Sequence, residues 1–255
     1  MIFVLRHAER ADNSPYQDDQ KDVKLEFDPH LTDLGVLQSQ FCAQSVKKIL
    51  ETHNPNVKRV VYVSSPFLRC IQTVQYVHLY LGLNAIEDKL YVQTHIGEML
   101  RSSWFEEDIN KKLIQKTDQN LSKQIGLKIE EPFVQDDRLI QQVYPENKLG
   151  DFYDRFKRAY EIIVQKFLNT YNTEETVLII VTHGFGVQAI LDQFNCFSLS
   201  DMVDYCSINA FDYRQDSLPN KEYPFIPKIC IKQQHDHVQL ADNEFSKRKY
   251  QNAKF

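Results

Sequence analysis

The chain of 255 residues has little glycine, little cysteine and no long apolar run. Seven glycines are few for this length, so each one marks a position to inspect. The five cysteines are odd in number and form no C-x-x-C pair, which favours reduced thiols in a cytosol-like compartment and argues against a disulfide framework or a zinc site. No stretch reaches the roughly 18 consecutive apolar residues of a membrane-spanning helix, so none is predicted.

Positive charge is not in excess either, because 30 Lys and Arg stand against 35 Asp and Glu and give a formal net charge of -5. A nucleic acid or an anionic membrane would gain nothing from this overall field, so neither is an expected partner. The apolar run at residues 1–5 ends at Arg6 and is too short for a signal peptide. The cytoplasm is therefore the expected location, while the nucleus and the choice between a monomer and a homodimer stay open.

The composition is that of a globular domain, with 42% hydrophobic and 25% charged residues. Three nearly continuous apolar runs are typical of strands buried on both faces of a parallel sheet, and they occupy residues 2–5, 59–63 and 176–181. Helical periodicity is found over residues 33–51, 67–81 and 153–171. This alternation predicts one α/β domain over residues 1–255, a three-layer α/β/α sandwich with a mostly parallel central sheet.

Local signals set the expected limits of these elements. Thr32 is the expected N-cap of the first helix, and Ser65 that of the second, with Pro66 at its first helical position. Residues 102–150 are polar and only weakly periodic, which predicts an insertion of short helices and loops that covers the active site. The polar residues 241–255 predict a tail that is frayed or docked.

Histidines and arginines follow all three predicted strands. The first strand runs into Arg6, His7 and Arg10, the second into Ser64-Ser65-Pro66 with Arg69 just beyond, and the third into Thr182-His183-Gly184. The carboxyl ends of parallel strands meet at one sheet edge, where two helix N-termini add N–H donors, so we expect an anion site there. Guanidinium groups match phosphate, and histidine can be a nucleophile near neutral pH, which indicates phosphoryl transfer through histidine.

Metal chemistry has little support in the sequence. No aspartate cluster accompanies these residues, so a Mg²⁺-dependent mechanism is not favoured. His235-Asp236-His237 resembles an H-x-H metal pair, but it lies in a strand-like stretch near the polar tail, which favours an exposed face. We therefore predict no metal site and no cofactor.

Four segments carry motifs in a recognisable order. They are Leu5-Arg6-His7-Ala8-Glu9, residues 31–38 (L-T-D-L-G-V-L-Q), residues 64–73 (S-S-P-F-L-R-C-I-Q-T) and Thr182-His183-Gly184. Together they resemble the R-H-G, L-T-x-x-G-x-x-Q, S-S-P-x-x-R-x-x-Q-T and second-histidine motifs of the histidine phosphatase superfamily, also called phosphoglycerate-mutase-like. The resemblance implies the fold of that superfamily. It also implies that His7 is the phosphorylated nucleophile and that Arg6, Arg69 and His183 surround the phosphoryl group.

Two further site residues come from a resemblance to the Sts-type branch of this superfamily. Ile96-Gly97-Glu98-Met99-Leu100 looks like the G-x-x-E-W segment of that branch, shortened by one residue and without the tryptophan, which makes Glu98 the candidate acid/base carboxylate. Arg10 fits the R-H-G-E-R of the branch and would bind substrate. Pairing of Arg10 with Glu9 or Asp12 is the open alternative.

Three functions stay open at the level of sequence. The favoured one is a metal-independent phosphatase that hydrolyses a phosphomonoester, either a phosphorylated small molecule or a phosphoprotein, through a phosphohistidine on His7. A phosphoglycerate-mutase-type phosphotransferase is the second, although Ala11-Asp12-Asn13 departs from the tryptophan and asparagine of the mutases. The third is a catalytically silent binding module, against which the complete set of candidate residues argues.

Overall fold

The computed structural model describes residues 1–15, 20, 21, 23, 25–83, 89–114, 119–130, 132–196, 203–213 and 227–252. Its strands are β1 (Ile2–Arg6), β2 (Arg59–Ser64), β3 (Lys89–Val92), β4 (Lys128–Glu130), β5 (Thr176–Thr182), β6 (Ile208–Asp212) and β7 (Lys228–Gln234). They form one sheet in the order β4-β3-β2-β5-β1-β6-β7. The five strands from β4 to β1 are parallel, and β6 and β7 extend the sheet in antiparallel orientation.

Seven α-helices accompany the sheet within the described ranges. They are α1 (Asp33–His53), α2 (Leu68–Leu81), α3 (Asn110–Ile114), α4 (Gln119–Ile125), α5 (Leu149–Thr170), α6 (Gly184–Gln193) and α7 (Asp236–Asn252). The predicted α/β class with a mostly parallel sheet is confirmed. Of the described helices, none is both long and apolar enough to cross a bilayer.

The central strands are buried on both faces, which divides the core into two layers. Along β1, Phe3 and Leu5 pack against α1 and α2, whereas Ile2 and Val4 pack against α5 and α6. This alternation follows from the two-residue period of a strand. The rigid sheet between the two layers fixes the carboxyl ends of β1, β2 and β5 side by side.

The predicted cap of α2 is wrong. The helix begins at Leu68 with Phe67 as N-cap, and the side chain of Asp28 accepts the hydrogen bond of the Leu68 N–H at 2.7 Å. Ser65 and Pro66 lie before the helix, and the Ser65 hydroxyl contacts His183 instead. A carboxylate from a distant loop therefore replaces the local cap. The Thr32 cap of α1 is confirmed, because its side chain accepts from the Gly35 N–H.

The insertion contains the predicted short helices together with a strand, and the described part of the tail is docked, one of the two predicted alternatives. Residues 102–150 contribute α3 and α4 but also β4, which pairs with β3 at the edge of the sheet. Residues 241–252 of the predicted tail belong to α7, which packs on α1, and residues 253–255 lie outside the described residues. His235 is half-exposed, but His237 is buried on α7, so the exposed-face prediction is wrong for His237.

Candidate active site

His7 follows β1 directly and is 2% exposed. Its Nδ1 lies 2.8 Å from the carbonyl oxygen of Ala8, which can only accept, so Nδ1 carries the proton. Burial, reinforced by the charge of Arg69, holds the pKa of His7 well below its usual range. His7 is therefore neutral near pH 7, and its Nε2 presents an unprotonated lone pair.

The loop after His7 is held by residues of the second and third motifs. Thr73 Oγ1 accepts from the Ala8 N–H at 3.0 Å, and Gln38 Oε1 accepts from the Glu9 N–H at 2.9 Å. Gly35 explains one of the rare glycines, because a Cβ there would lie 2.4 Å from the Glu9 carbonyl oxygen. These motif residues fix the nucleophile's loop from α1 and α2.

Arg69 is buried in the first turn of α2 and points between the two histidines. Its Nε lies 3.4 Å from His7 Nε2, and its Nη2 lies 3.2 Å from His183 Nδ1. Burial lowers the pKa of Arg69 to about 10, which still leaves it a cation at neutral pH. Its Nη1 has no hydrogen-bond partner among the described residues.

Arg6 is the last residue of β1 and forms the other side of the site. Its Nη1 donates to the Val203 carbonyl, and its guanidinium carbon lies 4.1 Å from the ring centroid of Tyr205. Burial lowers the pKa of Arg6, and its Nε has no hydrogen-bond partner within the described ranges. Arg6 and Arg69 thus each keep a buried N–H donor available for an anion.

His183 precedes α6 and is fully buried. Its ring centroid lies 5.3 Å from that of His7, Ser65 Oγ lies 2.7 Å from its Nε2, and Glu98 Oε2 lies 3.2 Å from its Nδ1. Burial lowers the pKa of His183 to about 4, against the opposing effect of Glu98. The imidazole is therefore neutral at pH 7, with both ring nitrogens partnered.

Glu98 lies at the same edge of the sheet, with its Oε2 3.9 Å from Arg69 Nη2. Burial alone would raise its pKa, but His183 and Arg69 outweigh burial and lower the pKa to about 2. Because His183 is neutral at pH 7, Arg69 is the cation that keeps Glu98 ionised there. The structure thus brings together Arg6, His7, Arg69, Glu98 and His183.

The guanidinium of Arg10 is engaged by a neighbouring carboxylate. It forms a two-pronged ion pair with Asp12, in which Nε lies 2.6 Å from Oδ1 and Nη2 contacts Oδ2. This is one of the two pairings that the sequence left open. A role for Arg10 in binding substrate stays a prediction.

Two features of the site differ from the sequence-based expectation or are missing from it. The first N–H of α2 donates to Asp28, a partner that the sequence does not indicate, so this N–H is not available to an anion. Tyr205 was not predicted, although its ring centroid lies 5.7 Å from that of His7 and its hydroxyl accepts from Asn13 Nδ2 at 3.0 Å. No motif or periodicity marks the turn that carries Tyr205.

The described part of the chain offers no group of three or more His, Cys, Asp or Glu side chains that could hold a metal ion. All five cysteines are free, as the sequence predicts. Cys70 lies in the site, with Sγ 3.6 Å from His183 Nε2, but burial raises the pKa of its thiol to about 12. The thiol is therefore protonated at neutral pH, whereas the reactive form of a cysteine is the thiolate.

The model of the histidine phosphatase superfamily (branch 1) matches residues 2–223 of the chain. The protein therefore belongs to the histidine phosphatase superfamily, as its motifs predict. A search of curated proteins gives no match. The assignment rests on the family model and agrees with the fold and with the pair of buried histidines.

Solved structures with the same fold include both phosphatases and a mutase. Phosphoglycerate mutase from Bacillus anthracis is 13% identical with a TM-score of 0.59, and the match covers 94% of this chain and 96% of that one. YhfR from Bacillus stearothermophilus is 16% identical with a TM-score of 0.55 over 93% and 98%. The ecdysone phosphate phosphatase of Bombix mori, solved with tungstate, is 19% identical with a TM-score of 0.53 over 91% and 96%. At these identities the similarity shows the fold alone.

Proposed function

We propose that the protein is a phosphatase that hydrolyses a phosphomonoester through a phosphohistidine on His7, without a metal ion or another cofactor. One observation carries the proposal. The unprotonated Nε2 of His7 lies 3.4 Å from the Nε of Arg69, and the charge of Arg6 is near enough to lower the pKa of His7. Each of the two guanidinium groups keeps a buried N–H donor without a partner among the described residues. Buried donors that lack partners are costly, and the oxygens of a phosphoryl group would satisfy both.

In the first step, Nε2 of His7 attacks phosphorus and the bond between phosphorus and the ester oxygen breaks. Arg6 and Arg69 neutralise the charge on the non-bridging oxygens, and His183 lies beside them. The departing oxygen takes a proton from Glu98, which leaves an alcohol and a phosphoryl group on His7. In the second step, Glu98 takes a proton from water, the hydroxide oxygen bonds to phosphorus, and the His7–phosphorus bond breaks to release inorganic phosphate.

The lowered pKa of Glu98 raises the question of where its acidic proton comes from. A phosphomonoester has a second pKa of about 6, so its monoanion can bring the proton into the site. The negative charge of the bound phosphoryl group then favours the protonated form of Glu98. The monoanion with ionised Glu98 and the dianion with protonated Glu98 contain the same atoms and charge.

The substrate class that we propose is a phosphorylated small molecule or a phosphoprotein, with the cytoplasm as the location. The mutase alternative uses the same histidine and returns the phosphoryl group to a bound acid, so it is distinguished by product. Phosphate release from a panel of phosphomonoesters supports the phosphatase, whereas isomerisation that depends on 2,3-bisphosphoglycerate without phosphate release supports the mutase.

The nucleophile is tested by His7→Ala, with and without a chelator. We expect a loss of at least about 10³-fold in kcat without unfolding, because no other group can form the covalent intermediate. His53→Ala, in the last turn of α1 far from the site, is the matched control and should keep full activity. Rapid quench without acid should trap phosphate on His7. Label on a serine or cysteine, or loss of activity with the chelator, would overturn the mechanism.

The role of Glu98 as the general acid is tested by comparing substrates with different leaving groups. An alkyl alcohol leaves poorly unless its oxygen is protonated, whereas a phenol with a pKa of about 10 or below leaves more readily. Glu98→Gln should therefore reduce kcat for alkyl phosphates by roughly 10²–10⁴-fold and affect the first step with aryl phosphates much less. An aryl substrate should show a burst and then slow turnover. Glu106→Gln is the control, and a larger effect there would move the acid role to Glu106.

A further inference from the structure

A buried ion pair lies behind the loop that carries Glu98. Arg155 of α5 contacts Glu146, at the end of the insertion, through two parallel bonds, with Nε 2.7 Å from Oε1 and Nη2 2.8 Å from Oε2. The side chains are 1% and 5% exposed. Such a fork-to-fork pair fixes the direction of both groups as well as their separation.

Arg155 also holds the backbone just before Glu98. Its Nη1 donates to the His95 carbonyl at 2.7 Å, and its Nη2 contacts the Gly97 carbonyl at 3.4 Å. The carbonyl between them, that of Ile96, accepts from the Thr182 hydroxyl at 2.9 Å. Three consecutive carbonyls on the amino-terminal side of Glu98 are thereby fixed by buried side chains.

The segment 142–147 of the insertion holds the same loop on the carboxyl-terminal side. Gln142 Nε2 donates to the carbonyl of Glu98 itself at 2.7 Å and lies 3.2 Å from Glu146 Oε2. The Glu146 N–H donates to the Leu100 carbonyl at 2.8 Å. Every carbonyl from residue 95 to residue 98, and that of Leu100, is thus bound by this network or by Thr182.

We infer that Arg155, Glu146 and Gln142 are positioning residues that hold the carboxylate of Glu98 at its place beside His183 and Arg69. The inference rests on the proposed role of Glu98. A proton donor works only from within hydrogen-bond reach of the departing oxygen, and a displacement of about 1 Å can reduce the rate by about 10²-fold. None of the three side chains is assigned a contact with substrate.

An ion pair elsewhere in the insertion provides the contrast. Asp136 and Arg138 also form a two-pronged pair, but the side chains are 22% and 52% exposed, and the Asp136 carboxylate accepts from the Arg138 side chain and the Arg138 N–H. The buried pair instead directs its remaining donors at the loop of Glu98. A variant of the Asp136–Arg138 pair therefore tests whether loss of any ion pair in the insertion affects activity. It is the matched control for variants of the pair that contacts the Glu98 loop.

The test compares kcat for an alkyl and an aryl phosphate in Gln142→Leu, Glu146→Gln and the control Asp136→Asn, with Tm measured for each. We expect Gln142→Leu to lower alkyl turnover by about 10-fold and Glu146→Gln by about 10–100-fold, with less than about 3-fold effect on the aryl burst. The control should match the wild type. Lowering the pH should not restore hydrolysis of the alkyl ester, since the acid is displaced rather than deprotonated.

Glu146→Gln leaves Arg155 buried without its counter-charge, so this variant is also expected to lose stability. The double variant Glu146→Leu/Arg155→Met removes both charges and should recover Tm while keeping the selective loss on alkyl phosphates. A double variant with the wild-type ratio of alkyl to aryl turnover would overturn the inference. Equal losses on both substrates would overturn it as well, because they would indicate a general structural role.

Failure of the proposed function gives a different result. If the wild type releases no phosphate from any ester, or if His7→Ala remains active, the phosphatase proposal itself fails. If the wild type and Glu98→Gln show the leaving-group difference but Gln142→Leu, Glu146→Gln and the double variant do not, only the positioning role fails.

Discussion

Arg69 contacts both histidines and the carboxylate of the site. Within one side chain it approaches His7, His183 and Glu98, and its guanidinium carbon lies 4.3 Å from the ring centroid of Phe67. The stacked ring and the buried position fix the plane of the fork. A planar group held in this way can bind two oxygens of a phosphoryl group at once, which a lysine cannot reproduce.

We therefore expect Arg69→Ala to reduce kcat by about 10²–10³-fold, the usual effect of removing one donor to a transition state. Arg69→Lys should recover only part of this loss, because a point charge does not replace the fork. Arg59→Ala, at the opposite end of the sheet, is the control. Steady-state kinetics on an aryl phosphate give the comparison, and full activity of Arg69→Ala would contradict the assignment.

At the scale of elements, the sequence predicts the strands and helices whose local residue patterns are strong. The buried strands β1, β2 and β5 are continuous apolar runs, and α1, α2 and α5 carry strong periodicity, so all six are found close to their predicted limits. The strands β3, β4, β6 and β7 were not predicted. Two of them, β4 and β7, lie at the sheet edges and are largely exposed or partly buried, so their patterns lack a continuous apolar run.

In the site too, residues in local motifs are predicted and residues that depend on distant contacts are not. His7, Arg69 and His183 stand in recognisable motifs directly after strands, and the structure brings them together with Glu98. Tyr205 was not found, because its role depends on contacts with residues far away in sequence and no local pattern records such contacts. The Asp28 cap of α2 was missed for the same reason.

The cap from Asp28 leads to a prediction about α2. Asp28→Ala should lower the free energy of unfolding by about 1 kcal/mol, because the Leu68 N–H loses its acceptor at the start of the helix. Asp28→Asn keeps a side-chain oxygen that can accept and should lose less. Urea unfolding measures both variants. An equal loss in the two would show that the charge, and not the hydrogen bond, is the stabilising feature.

The free energy of unfolding of the whole molecule should fall when the pH drops below the pKa of free histidine. Burial lowers the pKa of His237 from 6.5 to about 4, even though its Nε2 contacts the Cys206 carbonyl. Between these values the unfolded chain binds more protons than the folded chain, so stability is complete above pH 6.5 and declines toward pH 4. The pKa values of His7 and His183 are lowered in the same direction.

For His237 alone the expected loss is about 3 kcal/mol across that interval. His237→Gln keeps an N–H donor but does not titrate. The slope of its unfolding free energy against pH should therefore be smaller than that of the wild type, by an amount that corresponds to at most one bound proton. Unfolding in urea at a series of pH values from 4 to 7 gives the slope. The same slope in the variant and the wild type would assign the titration to other groups.

The chain contains one tryptophan, and its place gives the protein an optical signal of its own. Trp104 is half-exposed, stacks on Phe185 at 5.9 Å between ring centroids and lies under the guanidinium of Arg101 at 4.8 Å. Phe185 is two residues beyond His183, in the first turn of α6. Emission from a single indole therefore originates beside the helix that follows the second histidine. Its wavelength and its quenching by acrylamide report on that neighbourhood without any attached dye.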